Sequence, residues 1–204
     1  MMKSSTLFLI TIFLSEVGYS QTKTYVEEIV SWQKELDDHF RNEEESPLEK
    51  RDLKKFSGLE FYPIDSTYRV KARFLRTPAS LPFNMPTTTE RLPIYVKYGE
   101  ATFTLGDKEF VLPIYQSQTL LNMEEMEDYL FLPFTDNTNA IETYGGGRYL
   151  DLKIPDGDYI IIDFNKAYNP YCAYNTRYSC PIPPKENNLS VEIRAGVKDW
   201  SEKH

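Results

Sequence analysis

Tyr68-Arg69-Val70-Lys71-Ala72-Arg73-Phe74 is the stretch from which the fold can be read outward. It alternates strictly, with Arg69, Lys71 and Arg73 on one side and Tyr68, Val70, Ala72 and Phe74 on the other. A pleated strand sends successive side chains to opposite faces, so the pattern predicts a half-buried β-strand. A proline-rich connection through Pro78, Pro82 and Pro86 follows, then three strand-like runs: Pro93 to Tyr98, Ala101 to Leu105 and Glu109 to Tyr115. Gly99-Glu100 and Gly106-Asp107 join them, both of hairpin-turn composition. Tyr129 to Phe134 reads as another strand, Arg148 to Ile154 is expected to pair with Asp158 to Phe164 across Pro155-Asp156-Gly157, and Leu189 to Arg194 closes the series. The fold class is therefore mainly β: an antiparallel sheet that protects its edges by curling into a barrel or stacking into a sandwich.

Upstream the periodicity is helical. Val26, Ile29, Val30, Leu36 and Phe40 recur mainly at three- and four-residue steps, with Trp32 beside them and Glu27, Glu28, Lys34, Glu35 and Asp37 off that face. A second short helix is expected from Ser46 as N-cap, Pro47 at the first helical position and Glu49 completing a capping box, with Leu48, Leu53 and Phe56 buried and Gly58 as its stop. Before both helices, Lys3 precedes the apolar run Leu7 to Leu14, and the small residues Gly18 and Ser20 follow. That arrangement is expected of a signal peptide cleaved after Ser20, since a membrane span needs roughly 20 apolar residues. The expected organisation is a signal peptide over 1–20, a helical segment over 21–58 packing on the sheet, and a β domain over 59–204. The protein is then exported, to the periplasm or the medium, with no membrane span in its mature chain.

The chain of 204 residues carries 31 acidic and 23 basic side chains, a net charge of −8. Phosphate backbones are bound by clustered Lys and Arg, so nucleic acid is not an expected partner. Glu43-Glu44-Glu45 reads as a solvated surface. Only His39 and His204 are present, which removes histidine-rich metal catalysis and leaves His39 expected as a structural group at a helix C-terminus. No metal and no cofactor is expected.

The most distinctive stretch runs from Gly145-Gly146-Gly147-Arg148-Tyr149 through Asp163-Phe164-Asn165-Lys166-Ala167-Tyr168-Asn169-Pro170-Tyr171-Cys172-Ala173 to Cys180-Pro181-Ile182-Pro183-Pro184-Lys185-Glu186-Asn187. These three elements, in this order and spacing, resemble a bacterial family of uncharacterised proteins, the domain of unknown function 1684 family. The resemblance implies a domain type and carries no activity.

The residues themselves suggest three readings. Loop 165–187, rich in Tyr, Asn and Pro, reads first as the rim of a small-ligand pocket of unidentified chemistry, with Arg148, Asn165, Tyr168, Asn169, Tyr174 and Asn187 as candidate binding groups. Consecutive glycines can turn N–H groups toward an anion and Arg148 offers a planar fork, although the spacing is not that of a nucleotide loop. The second reading is a hydrolase in which Asp163 and Glu186 divide acid and base roles with Arg148. The plain alternative for the carboxylates is that Asp163 caps the turn through Asn165 while Glu186 pairs with a basic side chain. The third reading is a purely architectural loop. Cys172 and Cys180, the two cysteines of the chain, are expected to form a disulfide in an oxidising compartment.

Overall fold

The computed structural model describes residues 23–200, and the expected signal peptide lies outside them, as does His204. Eight strands form one sheet: β1 (Arg69–Arg76), β2 (Phe83–Asn84), β3 (Ile94–Leu105), β4 (Lys108–Ser117), β5 (Tyr129–Asp136), β6 (Arg148–Lys153), β7 (Tyr159–Asp163) and β8 (Asn188–Leu189). The antiparallel path runs β6-β5-β4-β3-β1-β7, with β2 added on β3 and β8 lying parallel to β5. The sheet curls into a half-barrel. Its path ends at β6 and β7, which follow one another in sequence but share no ladder among the described residues.

The strand at 68–74 is as its alternation requires: Val70, Ala72 and Phe74 are buried while Arg69, Lys71 and Arg73 face solvent. The inner face of the sheet collects these with Phe103, Leu112, Ile114, Leu130, Leu132, Leu150, Leu152, Ile160 and Ile162 into one apolar core. Tyr129 to Asp136 is buried on both sides, which explains why it reads as an almost unbroken apolar run.

Three strand expectations are corrected. Pro93–Tyr98 and Ala101–Leu105 are halves of the single strand β3, and the register slips between Lys97 and Gly99 as at a β-bulge. Gly99 is there for packing: a Cβ would lie 2.5 Å from the Phe74 ring. Second, β6 pairs with β5 and β7 with β1, not with each other. The Pro155-Asp156-Gly157 turn has hairpin chemistry, but the strands it joins complete opposite ends of the curl. Third, the closing strand is only Asn188–Leu189; beyond it the chain is held by side chains instead of a ladder. Gly106-Asp107 is the two-residue turn between β3 and β4, with Gly106 at φ +60°.

The helix α1 (Tyr25–Arg41) opens with a capping box between Thr24 and Glu27. It docks through Ile29 and Phe40, with Trp32 and Leu36 half-buried, while Val26 and Val30 are exposed and leave the expected apolar face. The expected capping box at Ser46 is not made. Ser46 Oγ donates to the Phe40 carbonyl and accepts from the Leu48 N–H, and the one-turn helix α2 (Lys50–Leu53) starts later, with Glu49 as an N-cap that makes no side-chain cap bond. Among the described residues no helix is long and apolar enough to cross a membrane.

Candidate functional site

The outer face of β3, β5 and β6 is covered by the Tyr-rich loop. Odd-numbered side chains of β5 and β6, Tyr129 and Phe131 on the first and Tyr149 and Asp151 on the second, point away from the aliphatic core, because their even-numbered neighbours Leu130, Leu132, Leu150 and Leu152 point into it. The loop is laid over them by main-chain bonds. Tyr149 N–H donates to the Tyr168 carbonyl at 2.9 Å and Tyr168 N–H to the Tyr149 carbonyl at 3.1 Å. Farther on, Thr88 N–H donates to the Cys180 carbonyl and Ile182 N–H to the Pro86 carbonyl, at 2.9 and 2.8 Å. The Tyr149 hydroxyl donates to the Pro181 carbonyl. From the other side α1 presents Trp32, Leu36 and Phe40, spaced four apart on one stripe, and Phe40 packs edge-on against Tyr174 with ring centroids 4.8 Å apart.

Between sheet, loop and helix lies a partly open cleft of about 380 Å³. Most of its lining is aromatic, and Asp151 is its one formally charged member. Two phenols converge on that carboxylate: Tyr168 and Tyr129 donate to Asp151 Oδ1 at 2.6 and 2.7 Å. Burial, and then the Asp151 charge, push both phenols well above their ordinary range. They are therefore neutral donors throughout physiological pH. Asn169, only 1 % exposed, stands in the same lining; its Nδ2 donates to the Lys198 carbonyl at 2.9 Å and to the Tyr174 hydroxyl at 3.3 Å. Its Oδ1 is fully enclosed and meets no donor among the described residues.

Of the expected binding residues, Tyr168, Asn169 and Tyr174 line this cleft and Arg148, Asn165 and Asn187 do not. Arg148, expected to offer its fork to an anion, spends it inside the protein. Its side chain and that of Asp136 are both 0 % exposed and joined at 2.8 Å, and its guanidinium also donates to the carbonyls of Ile193 and Ala195. It thereby holds the C-terminal segment where the sheet no longer does. The glycines before it form the bend: Gly147, at φ +89°, would bring a Cβ within 2.6 Å of the Phe134 carbonyl oxygen. Asn187 donates to the carbonyls of Pro113 and Pro133 at 2.9 and 2.7 Å. It bridges β4 and β5 where prolines supply no donor and the ladder has narrowed to Tyr115 and Phe131. Asn165 fixes the turn at Asp65, accepting from its N–H at 3.0 Å and donating to its carbonyl at 2.8 Å.

The carboxylates Asp163 and Glu186 are not brought to the cleft. Asp163 caps the turn after β7 by accepting from Asn165 N–H at 3.1 Å, and accepts from the Tyr25 hydroxyl at 3.0 Å. It faces a neighbouring groove with Glu28, Arg69, Lys153 and Lys166, which shares Asp151 with the cleft. Glu186 is exposed and accepts from the Tyr115 hydroxyl at 3.1 Å. His39 stacks on Tyr171 and shares a 2.8 Å hydrogen bond with its hydroxyl.

The expected disulfide is corrected: Cys172 and Cys180 are free thiols. Instead of an S–S bond, Cys172 N–H donates to Cys180 Sγ at 3.2 Å, and the Tyr144 hydroxyl lies 3.7 Å from Cys172 Sγ. A hydrogen bond from the Cys180 thiol, ahead of one from Tyr144, lowers Cys172 to about 6 despite partial burial. The same hydrogen bond, followed by burial, pushes the Cys180 thiol upward.

The residues that sequence reasoning passed over are Asp151, Tyr129, Phe131 and Trp32. Their signal is the alternation of Tyr149, Asp151 and Lys153 with Leu150 and Leu152, which sets an acid and an aromatic on one face of one strand.

A curled antiparallel half-barrel with an aromatic cleft on the face opposite its aliphatic core defines the class of protein. Residues 54–198 match the family described as "Protein of unknown function (DUF1684)", and the chain belongs to that family. Comparison with curated proteins gives no match. Among solved structures, the chain is similar to an uncharacterized protein from gene locus rrnAC0354 of Haloarcula marismortui, studied by solution NMR. The two are 30% identical, with a TM-score of 0.68, over 87% of this chain and 95% of that one.

Proposed function

We propose that the protein is an exported small-ligand-binding module and that the aromatic cleft is its site. The observation that carries this reading is the cleft itself: about 380 Å³, with Tyr168, Asn169 and Tyr174 of the loop facing Tyr149 and Phe131 of the sheet. Ligand sites are concave, mostly apolar and supplied with a few fixed polar groups, and this volume falls within their usual range of roughly 300 to 1,000 Å³. Tyrosine suits the task because it buries a large apolar face while its hydroxyl remains available for hydrogen bonding. The rim is held by main-chain bonds to Tyr149 of the sheet at one end and to the 86–88 segment at the other, so little ordering remains to be done on binding.

Export is supported by Lys3 and the apolar run at 7–14. N-terminal sequencing of the mature protein from the cell envelope or medium should begin at Gln21; a mature chain beginning at Met1 would end that part of the proposal. Binding is tested by titrating phenol and indole into the purified protein while following amide shifts and Trp32 fluorescence. Saturable shifts confined to cleft residues are expected, and Leu120→Trp, which places bulk in the cleft lining, should abolish them. A folded protein whose cleft resonances ignore both compounds and a wider fragment panel is not a binder at this site.

A further inference from the structure

Resting on that reading, we infer that the cleft selects organic cations, an ammonium group carrying apolar substituents, over neutral molecules of the same shape. Three features converge. Aromatic rings carry negative charge on their faces, and a desolvated cation over such a face is favoured by roughly 0.5 to 2 kcal/mol. The cleft supplies the rings of Tyr95, Tyr129, Tyr149 and Tyr168, and Asp151 lies in the same lining. Asp151 adds the formal negative charge, and both of its phenol hydrogen bonds fall on Oδ1. By donating to a carboxylate, Tyr129 and Tyr168 gain electron density in their rings, which strengthens each face toward a cation.

The positive groups at the margin are already engaged. Arg91 donates to the Ser179 hydroxyl and carbonyl, at 3.1 and 2.6 Å, and is not among the lining residues. Arg177 lies 4.7 Å from the centroid of the Tyr178 ring, so one ring of the lining already accepts a cation from the protein itself. An anionic ligand would meet Asp151 without a counter-charge in the lining. A neutral ligand would gain nothing from the carboxylate beyond a hydrogen bond.

The test compares choline with 3,3-dimethylbutan-1-ol, its neutral carbon isostere, by calorimetry and amide shifts on the purified protein, with phenol as a neutral aromatic reference. Choline is expected to bind at least about tenfold more tightly than the isostere, in keeping with a cation–π and carboxylate contribution. Asp151→Asn should remove most of that ratio by lowering choline affinity toward that of the isostere, as expected of a charge effect rather than a shape effect. The isostere comparison needs no variant, so the inference does not depend on how Asp151→Asn folds. Choline and isostere binding equally, or phenol binding where choline does not, would overturn the cation inference and leave the binding reading in place. Failure of all three ligands to bind the folded protein would overturn the cation inference, and failure of indole and the wider fragment panel as well would overturn both.

Discussion

Strands β5 and β6 present two chemically different surfaces from one pair of ladders. On the inner face Leu130, Leu132, Leu150 and Leu152 are sealed in an aliphatic core, whereas on the outer face Tyr129, Tyr149 and Asp151 meet a cleft that solvent enters. Both faces are covered, but by different means. The inner one is filled by the strands together with Phe164, Ala167, Ile193 and Ala195 from outside them, and the outer one is covered by a loop that has no regular structure beyond short turns. The lesson is that the packed core and the open cleft are separated by parity along the same strands. A side chain at an even position is asked to fill space, and one at an odd position is asked to leave some.

The largest effect expected along this divide comes from Arg148, which lies on the inner parity at the end of β6. Arg148→Met should cost roughly 3 to 5 kcal/mol in urea unfolding, because it leaves the Asp136 carboxylate buried without its counter-charge. Asp136 Oδ1 keeps donors from Thr138 and Ile193, at 2.8 and 3.2 Å, whereas Oδ2 loses the Arg148 guanidinium, so the variant removes both the counter-charge and one hydrogen bond. The double variant with Asp136→Asn should therefore recover part of the loss. If Arg148→Met were as stable as the parent protein, the clip on the C-terminal segment would carry no weight.

The contrast between faces is sharpened next by a matched pair on β5. Leu132→Ala on the inner side should cost roughly 2 to 5 kcal/mol, since it deletes a fully buried side chain and leaves a cavity. Tyr129→Phe on the outer side removes one hydroxyl from Asp151, which retains Tyr168, and should cost only about 0.5 to 1.5 kcal/mol. Equal costs for the two would mean that the outer surface is as tightly packed as the core and that the cleft does not stay open in solution.

This parity also sets what could be read in the sequence. Where one face is wet, as at 68–74, alternation declared the strand and its buried side outright. Where both faces are covered, as in β5, the apolar run announced a strand but hid that Tyr129 and Phe131 serve another surface than Leu130 and Leu132. Local turn chemistry misled twice: Gly99 is a glycine because Phe74 crosses it, and Pro155-Asp156-Gly157 bends the chain between strands that pair elsewhere. Of the loop residues singled out from sequence, Tyr168, Asn169 and Tyr174 line the cleft. Arg148 and Asn187 were legible as special but not as internal clips, since their partners are carbonyls of residues 45 and 54 or more positions away. Main-chain carbonyls have no signature in sequence. The unmade disulfide belongs to the same class: composition showed two cysteines within one loop, but not that Cys172 N–H and the neighbouring thiol would pair with them as hydrogen-bonding groups.

The smallest expected effect on stability, and the finest probe of the outer surface, is the acidity of Cys172. A free thiol near 9 is protonated at neutral pH, whereas Cys172, held down to about 6 chiefly by the Cys180 thiol, is a thiolate there. Only the thiolate attacks an alkylating agent. As pH rises through about 6 the Cys172 proton leaves, so iodoacetamide labelling should climb across that range and reach its plateau near neutrality. In Cys180→Ala the donor is gone, and the midpoint should move upward toward that of an ordinary cysteine, with the fold kept because Cys180 contributes only a small side chain to the outer cluster. Labelling read by mass spectrometry also distinguishes the two sulfurs, because Cys180 is buried and its thiol is shifted the other way, so it should remain unmodified until the protein unfolds. A midpoint near 9 in the parent protein would mean that the two thiols do not share a hydrogen bond in solution, and that the loop sits over the sheet in a different arrangement from the one that encloses the cleft.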